Sequence, residues 1–471
     1  MDLQLNLDRS RRVPLSIQIA HGLRDAIFMQ RILPGTRLAP TRELSRRLKV
    51  SRMVVLEAYE WLMAEGYAEA RQGSGTYVLK TLVFPQQPIK RLKDPPRRTD
   101  LLTEKADLLD FRPGLPALDL FPRATWKRAL ARVLLTAKAD HFGYGPAEGL
   151  PQLRRLIAQY VGRTRGLPVA PERVVITIGT AQALDLMLRT LAPLESMAIE
   201  NPGPEPIHRL IRIHQIKPKP IPVDEQGLRV DLLKSGARAP KVVHVIPSHQ
   251  FPTGEAMHLE RRIELLNWAE QNDATIIEDD YDSEFRFDQS PPIALAALNP
   301  GQRVVYIGSF SKTLFPGLRL GFCVVPEKFI NRFLELKWFS DRCTPVLEQL
   351  ALAEWLESGI FERHVRKMRA VYAKRRETLV KSLSERFGNQ FHIHGVPAGM
   401  HIMVDFRLEL TEAELAFKAL QAGVKVYPAG SCYIEQKPKF PSLIMGFGNL
   451  NEAAIERGAA QLADALREWI R

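Results

Sequence analysis

The most chemically pointed stretch of the chain is Ser309-Phe310-Ser311-Lys312-Thr313-Leu314-Phe315-Pro316-Gly317-Leu318-Arg319, a lysine between hydroxyls with an arginine seven residues on. Such an amine can condense with an aldehyde, while Ser309, Ser311 and Arg319 hold a phosphate on the same ligand. Three other segments offer complementary chemistry. Glu278-Asp279-Asp280-Tyr281 follows the apolar pair Ile276-Ile277, so acids and a phenol fall at the end of a strand, where open α/β sheets bind ligands. A carboxylate there can keep a pyridine nitrogen protonated and make the ring an electron sink. Gly179-Thr180-Ala181-Gln182 can open a helix whose backbone N–H groups cradle a phosphate. Pro247-Ser248-His249-Gln250-Phe251-Pro252-Thr253-Gly254 reads as a turn able to line the ring. Each piece alone has an ordinary structural explanation, as solvated acids, a helix cap or a polar loop. Their joint order points to an anionic aldehyde cofactor.

These groups must be positioned by alternating strands and helices. Val174–Ile178, Val242–Ile246, Ala274–Ile277 and Val304–Ile307 are short apolar runs of the kind found in strands buried on both faces. Helical patterns cover Ala181–Leu191 and Arg262–Gln271, so a mostly parallel sheet with helices on both faces is expected. From about residue 330 long helical patterns dominate, among them Leu347–Trp355 and Phe361–Leu383, and predict a smaller α+β lobe.

The first 80 residues read differently. Ile19, Leu23, Ala26 and Ile27 share a helix face, and Pro34-Gly35 ends that helix. Thr41 is expected to cap a short helix carrying Leu44 and Leu48, and Ser51 a third helix with Val54, Val55, Ala58, Tyr59 and Leu62 apolar. Tyr67–Arg71 and Thr76–Leu79 then form two short strands joined at Gln72-Gly73-Ser74-Gly75. This is a helix-turn-helix with a hairpin, and Arg42, Arg46, Arg47, Ser51 and Arg52 stand where a recognition helix meets a major groove.

Charge and composition agree with that division. The 471 residues carry a formal charge of +13, and residues 1–80 hold 13 Lys/Arg against 8 Asp/Glu, an excess suited to a polyanion. Prolines and charges crowd residues 81–105, including Lys90-Arg91-Leu92-Lys93-Asp94-Pro95-Pro96-Arg97-Arg98, and predict an extended linker. The three cysteines, Cys323, Cys343 and Cys432, lie too far apart for a disulfide framework, and neither a secretion signal nor a membrane-length apolar run is expected, so a cytoplasmic protein is.

The segments Pro14–Ile19, Leu33–Leu38, Thr41–Leu44, Val50–Arg52, Ala58–Leu62, Glu65–Tyr67 and Arg71–Val78 resemble the winged helix-turn-helix of GntR-type transcription regulators. That resemblance implies DNA contacts from Arg42, Ser51, Arg52 and the wing residue Gly73. Met53 stands where many relatives carry a hydroxyl, which suggests contact with a thymine methyl. Residues 110–470, with Phe142-Gly143-Tyr144-Gly145-Pro146 and the lysine, acid and glycine motifs above, resemble class I aminotransferases of the fold-type I pyridoxal-phosphate proteins. The resemblance implies that Lys312 bonds the aldehyde of pyridoxal 5'-phosphate, that Asp279 meets the pyridinium and Tyr281 the ring hydroxyl, and that Gly179, Thr180, Ser309, Ser311 and Arg319 hold the phosphate. Tyr144 would reach the phosphate of a partner subunit. Three positions depart from the pattern: Ala181 for glutamine, Pro204 for tyrosine, and Ile444 for the arginine that clamps a substrate carboxylate.

The fusion resembles MocR/GabR-type regulators, with a winged helix (1–80), a linker (81–109) and an aminotransferase-like effector and dimerisation domain (110–471). It implies promoter DNA as a partner, a head-to-tail domain-swapped homodimer, and a signal that is pyridoxal phosphate itself or its adduct with an amine. An aminotransferase with a basic head, or a DNA-binding module on a purely structural scaffold, are the competing readings. Ile444 argues against the first.

Overall fold

The computed structural model describes residues 5, 7–10, 13–81, 108–287, 293–299, 303–435 and 438–470. The chain divides into two compact units, Met1–Thr103 and Glu104–Arg471. Most of the expected linker lies outside the described residues.

In the first unit, helices α1 (Leu15–Phe28), α2 (Thr41–Leu48) and α3 (Arg52–Ala64) precede an antiparallel hairpin of β1 (Ala68–Arg71) and β2 (Gly75–Val78). Ile19, Leu23 and Ile27 of α1 pack against Leu44, Val55, Tyr59 and Leu62, which closes one small core. Tyr59 donates its hydroxyl to the Ala39 carbonyl at 2.6 Å and ties α3 to the strand-like approach to α2. Ser51 caps α3 as expected, its Oγ accepting the Val54 N–H at 3.4 Å. Thr41 does not cap α2. Pro40 occupies that position, whose fixed φ sets the helix entry without a side-chain acceptor, and the Thr41 hydroxyl instead accepts from Arg52 Nε at 3.2 Å. The turn between α2 and α3 runs through Lys49 at φ 53°.

The second unit contains β3 (Leu109–Asp110), then α4 (Arg123–Thr136), α5 (Pro151–Arg165), β4 (Val174–Thr177), α6 (Thr180–Leu191), β5 (Ser196–Asn201), β6 (Lys217–Asp224), β7 (Gly227–Leu228), β8 (Val242–Val245), β9 (Thr275–Asp280), β10 (Val304–Ser309) and β11 (Gly321–Val324). Strands β4 to β11 form one sheet in the order β4-β11-β10-β9-β8-β5-β6-β7. The run β10-β9-β8-β5-β6 is parallel, while β11 is antiparallel to both β10 and β4. Both faces are covered: Ile276, Val304 and Tyr306 enter one apolar cluster, and Ile277, Val305 and Ile307 the other. That two-sided burial explains the continuous apolar runs in the sequence.

The C-terminal lobe adds β12 (Phe391–His394), β13 (His401–Phe406), β14 (Val424–Lys425), β15 (Tyr427–Pro428) and β16 (Ser442–Gly446). Here β12-β13-β16-β15 form an antiparallel sheet, and β14 pairs with β3. Helices Ile360–Phe387, Glu412–Gln421 and Glu452–Ala465 complete the expected α+β lobe.

Candidate functional site

The loops after β4, β9 and β10 converge at the carboxyl ends of the sheet, where a cavity of about 370 Å³ opens. Gly179, Thr180, Asp279, Tyr281, Ser309, Ser311, Lys312 and Arg319 all line it, so eight of the nine residues assigned to the cofactor meet in one place. The sheet arranges this: Lys312 follows the end of β10, Asp279 lies in neighbouring β9, and Gly179 leads from β4 into α6. Tyr144 does not line the cavity. It is 81 % exposed, with the Arg342 guanidinium 4.6 Å above its ring.

Three consecutive acids on β9 show how the period of a strand sorts function. Glu278 accepts the N–H groups of Leu295 and Ala296, both at 2.8 Å. Asp280 joins a buried cluster in which Arg165 bridges Asp280 and Glu284, at 2.7 Å each, and the Tyr306 hydroxyl also reaches Asp280. Asp279, between them, points the other way into the cavity, and its buried Oδ1 has no hydrogen-bond partner. Behind it, His244 Nε2 stands 3.7 Å from Oδ2.

Lys312 Nζ donates to the Gly114 carbonyl at 2.7 Å. Burial pulls its ammonium below the ordinary lysine value, with Asp282 and Asp279 pulling the other way, so the nucleophilic neutral amine is more accessible than on a surface lysine. Tyr281 is driven well above the usual phenol range by burial and then by Asp282, Asp279 and Glu200, so its hydroxyl keeps its proton. Gly179 adopts φ +116° at the start of α6, which a side chain rarely tolerates, and a Cβ there would lie 3.5 Å from the Arg319 guanidinium. The helix N-terminus, Arg319 and the two serines thus form an anion cradle. The Ser311 N–H already donates to Ser309 Oγ at 3.1 Å.

Ile444 is 3 % exposed on β16 and packs with Met403, Ala429 and Cys432 beside Phe251, Tyr427 and Tyr433, of which Phe251 lines the cavity. Among the described residues lining the cavity, Lys312 and Arg319 are the cations. Pro204 and Ala181 line the cavity, whereas Gln182 turns inward to Ile178 N and Ser340.

In the first unit, Arg42, Ser51, Arg52 and Gly73 are all exposed. Met53 is 68 % exposed at the start of α3 and faces solvent with them. Gly73 sits at the hairpin tip, and Arg71 stacks 4.3 Å over Tyr77 beside it. Arg42, Ser51 and Arg52 form an exposed basic surface around the α3 N-terminus.

Reading by type and spacing left several participants unassigned. The sequence puts His249 in a lining turn without a role, and gives none to Gly114, His244, Asp282 or His401. The turn motif around His249 was visible, but nothing in the sequence separation of these residues reveals that they converge.

Comparison with known proteins fits this geometry. Residues 108–459 match the family model for aminotransferase class I and II, and residues 15–78 that for bacterial regulatory proteins of the gntR family. The probable rhizopine catabolism regulatory protein MocR of Rhizobium meliloti is 34 % identical over 474 residues, spanning 98 % of this chain and 95 % of its own. The chain belongs to the MocR-type regulators of the GntR family. It is a transcription regulator that binds DNA through its winged helix and carries an aminotransferase-like unit. The pyridoxine biosynthesis transcriptional regulator PdxR of Corynebacterium glutamicum is similarly related, 29 % identical with 99 % of each chain covered. Among solved structures, the kynurenine aminotransferase of Pyrococcus horikoshii superposes with a TM-score of 0.73 at 27 % identity, covering 82 % of this chain and 97 % of that one. No helix among the described residues is long and apolar enough to cross a membrane.

Proposed function

We propose that this MocR-type regulator holds pyridoxal 5'-phosphate in the cavity at Lys312 and that occupancy of the cavity controls how its winged helices engage promoter DNA. The observation that carries the reading is the unpartnered, buried Asp279 Oδ1, facing the same cavity as Lys312 and the anion cradle. A buried acceptor without a donor is costly, and a pyridinium N–H is a donor of the right kind. The residue set therefore fits the group. Asp279 would hold the ring nitrogen, Tyr281 the ring hydroxyl, and Gly179, Thr180, Ser309, Ser311 and Arg319 the phosphate. When bound, the cofactor supplies an aldehyde for covalent capture by an amine.

Within this reading Lys312 binds the ligand, Tyr281 donates a proton-bearing hydroxyl, and the described lining offers an α-carboxylate no cation beyond Lys312 and Arg319. That lining favours the phosphorylated aldehyde itself as the signal over an ordinary amino acid. We further propose the domain limits 1–80, 81–109 and 110–471, and a homodimer in which exposed Tyr144 reaches the neighbouring subunit's phosphate site and each winged helix packs on the other chain's large domain. The ligand can shift that assembly only by its differential affinity for two arrangements.

Pyridoxal phosphate titrated into the purified protein should raise a saturable near-visible absorbance band. Borohydride should then fix the pyridoxyl mass on Lys312 in a peptide map. A colourless protein, or label spread over surface lysines, would overturn the proposal.

A further inference from the structure

Behind Tyr281 lies a buried polar network that neither the anion cradle nor Asp279 uses. His249 is 2 % exposed, and its Nδ1 stands 3.1 Å from each carboxylate oxygen of Asp282, which is 1 % exposed. The same Nδ1 lies 3.2 Å from the Tyr281 hydroxyl. The groups facing His249 are Asp282 and Tyr281 on its own side, His401 with ring centroids 5.0 Å away, and Glu255. His401 donates Nε2–H to the Pro252 carbonyl at 3.1 Å, and burial lowers it to about 3, so it stays neutral beside His249.

The backbone is shaped to hold this pair. Gly399 sits at φ +68°, and a Cβ there would lie 2.0 Å from His249 Cε1 and 2.7 Å from an Asp282 carboxylate oxygen. No side chain could occupy that position without displacing the histidine or the acid. Gly254 closes the opposite edge, its Cβ direction 3.3 Å from His249 Nε2.

The donor count then decides direction. A carboxylate only accepts, so Asp282 requires a proton on His249 Nδ1. With Nδ1 already a donor, the Tyr281 oxygen can only accept from it. The Tyr281 proton is therefore directed away from His249, toward the cavity that Tyr281 lines. We infer that His249 and Asp282 are positioning residues that orient Tyr281 as a hydrogen-bond donor into the ligand cavity. This deepens the cofactor reading and rests on it for the identity of the acceptor, the ring oxygen of the cofactor.

Two measurements test it, one independent of any ligand. In the full-length protein without cofactor, ¹⁵N shifts of His249 should show a protonated Nδ1. A neutral ring protonated at Nε2 would overturn the inference. In the second, wild type, Tyr281→Phe, His249→Leu, Asp282→Asn and the double variants with Tyr281→Phe are loaded with pyridoxal phosphate, and the visible band is titrated with pH. A donor to the ring oxygen favours its deprotonated form, so Tyr281→Phe should raise the midpoint by about 1–2 pH units, the size of one charge-assisted hydrogen bond. Asp282→Asn keeps the shape of the side chain but removes the anionic acceptor that holds the proton on Nδ1, which frees the Nδ1 lone pair to accept the Tyr281 hydroxyl. It and His249→Leu should each raise the midpoint by roughly 0.5 unit or more. Neither should add to Tyr281→Phe, because both act through that hydroxyl. Unmoved midpoints in soluble, coloured single variants, or full additivity in the doubles, would overturn the network. A colourless wild type would instead overturn the cofactor reading and leave the ¹⁵N result to judge His249.

Discussion

Burial rather than sequence neighbours sets the protonation of the groups that matter most around the cavity. Lys312 is pulled toward its neutral form and Tyr281 kept protonated by the same desolvation. Glu200, at the end of β5 beneath the site, is raised to about 7 by burial, against the opposing pull of His244, the Ile246 N–H and Gln250. A carboxyl whose folded value exceeds its unfolded value holds its proton more firmly when folded. Its ionisation therefore costs stability progressively from about pH 4.5 to 7, and the loss is complete above that. Glu200→Gln removes this penalty. Urea unfolding at pH 5 and pH 8 should show the variant gaining on wild type as pH rises, by up to about 3 kcal/mol. A constant difference between the two pH values would show that Glu200 ionises normally. At this scale the sequence was informative about residue type: Lys312, Asp279 and Tyr281 were readable from motif and strand position. His249, Asp282 and His401 were not, because they come from three segments whose separation along the chain carries no distance.

Among elements, the alternation of strands and helices was readable because the parallel strands are buried on both faces and so appear as unbroken apolar runs. The antiparallel insertion of β11 between β4 and β10 was not, since a four-residue apolar strand looks the same in either direction. The α2 start was misassigned to a Thr41 cap, because the sequence does not show that Pro40 sets the entry and that the hydroxyl is engaged by Arg52. Two predictions belong here. Arg165, at the end of α5, bridges β9 to the loop that follows it, and Arg165→Met would leave Asp280 and Glu284 as uncompensated buried acids. A loss of about 3–5 kcal/mol in unfolding free energy is expected, and a near-neutral variant would mean that the acids are protonated in the fold. Arg52 opens α3 on the exposed basic surface. If it meets a phosphate, Arg52→Ala should weaken binding across all duplex sequences and reduce the salt slope of log K by about 1. A change confined to one base position would instead assign Arg52 to base readout.

For the whole molecule, two compact units with different chemistry share one chain, and the proposed function requires that the state of one be felt by the other. The excess of positive charge provides general attraction to DNA, while in the proposed function the cavity at the sheet end would provide chemical selectivity. Coupling between such sites typically amounts to about 5- to 150-fold in affinity. The account is tested most directly by fluorescence anisotropy on a duplex that the protein itself selects from a random pool, with and without pyridoxal phosphate, for wild type and Lys312→Ala. Wild-type affinity should change at least about fivefold on adding the ligand, while Lys312→Ala binds the duplex but no longer responds. An equal response in the two proteins, or none in a wild type shown to be loaded, would contradict it.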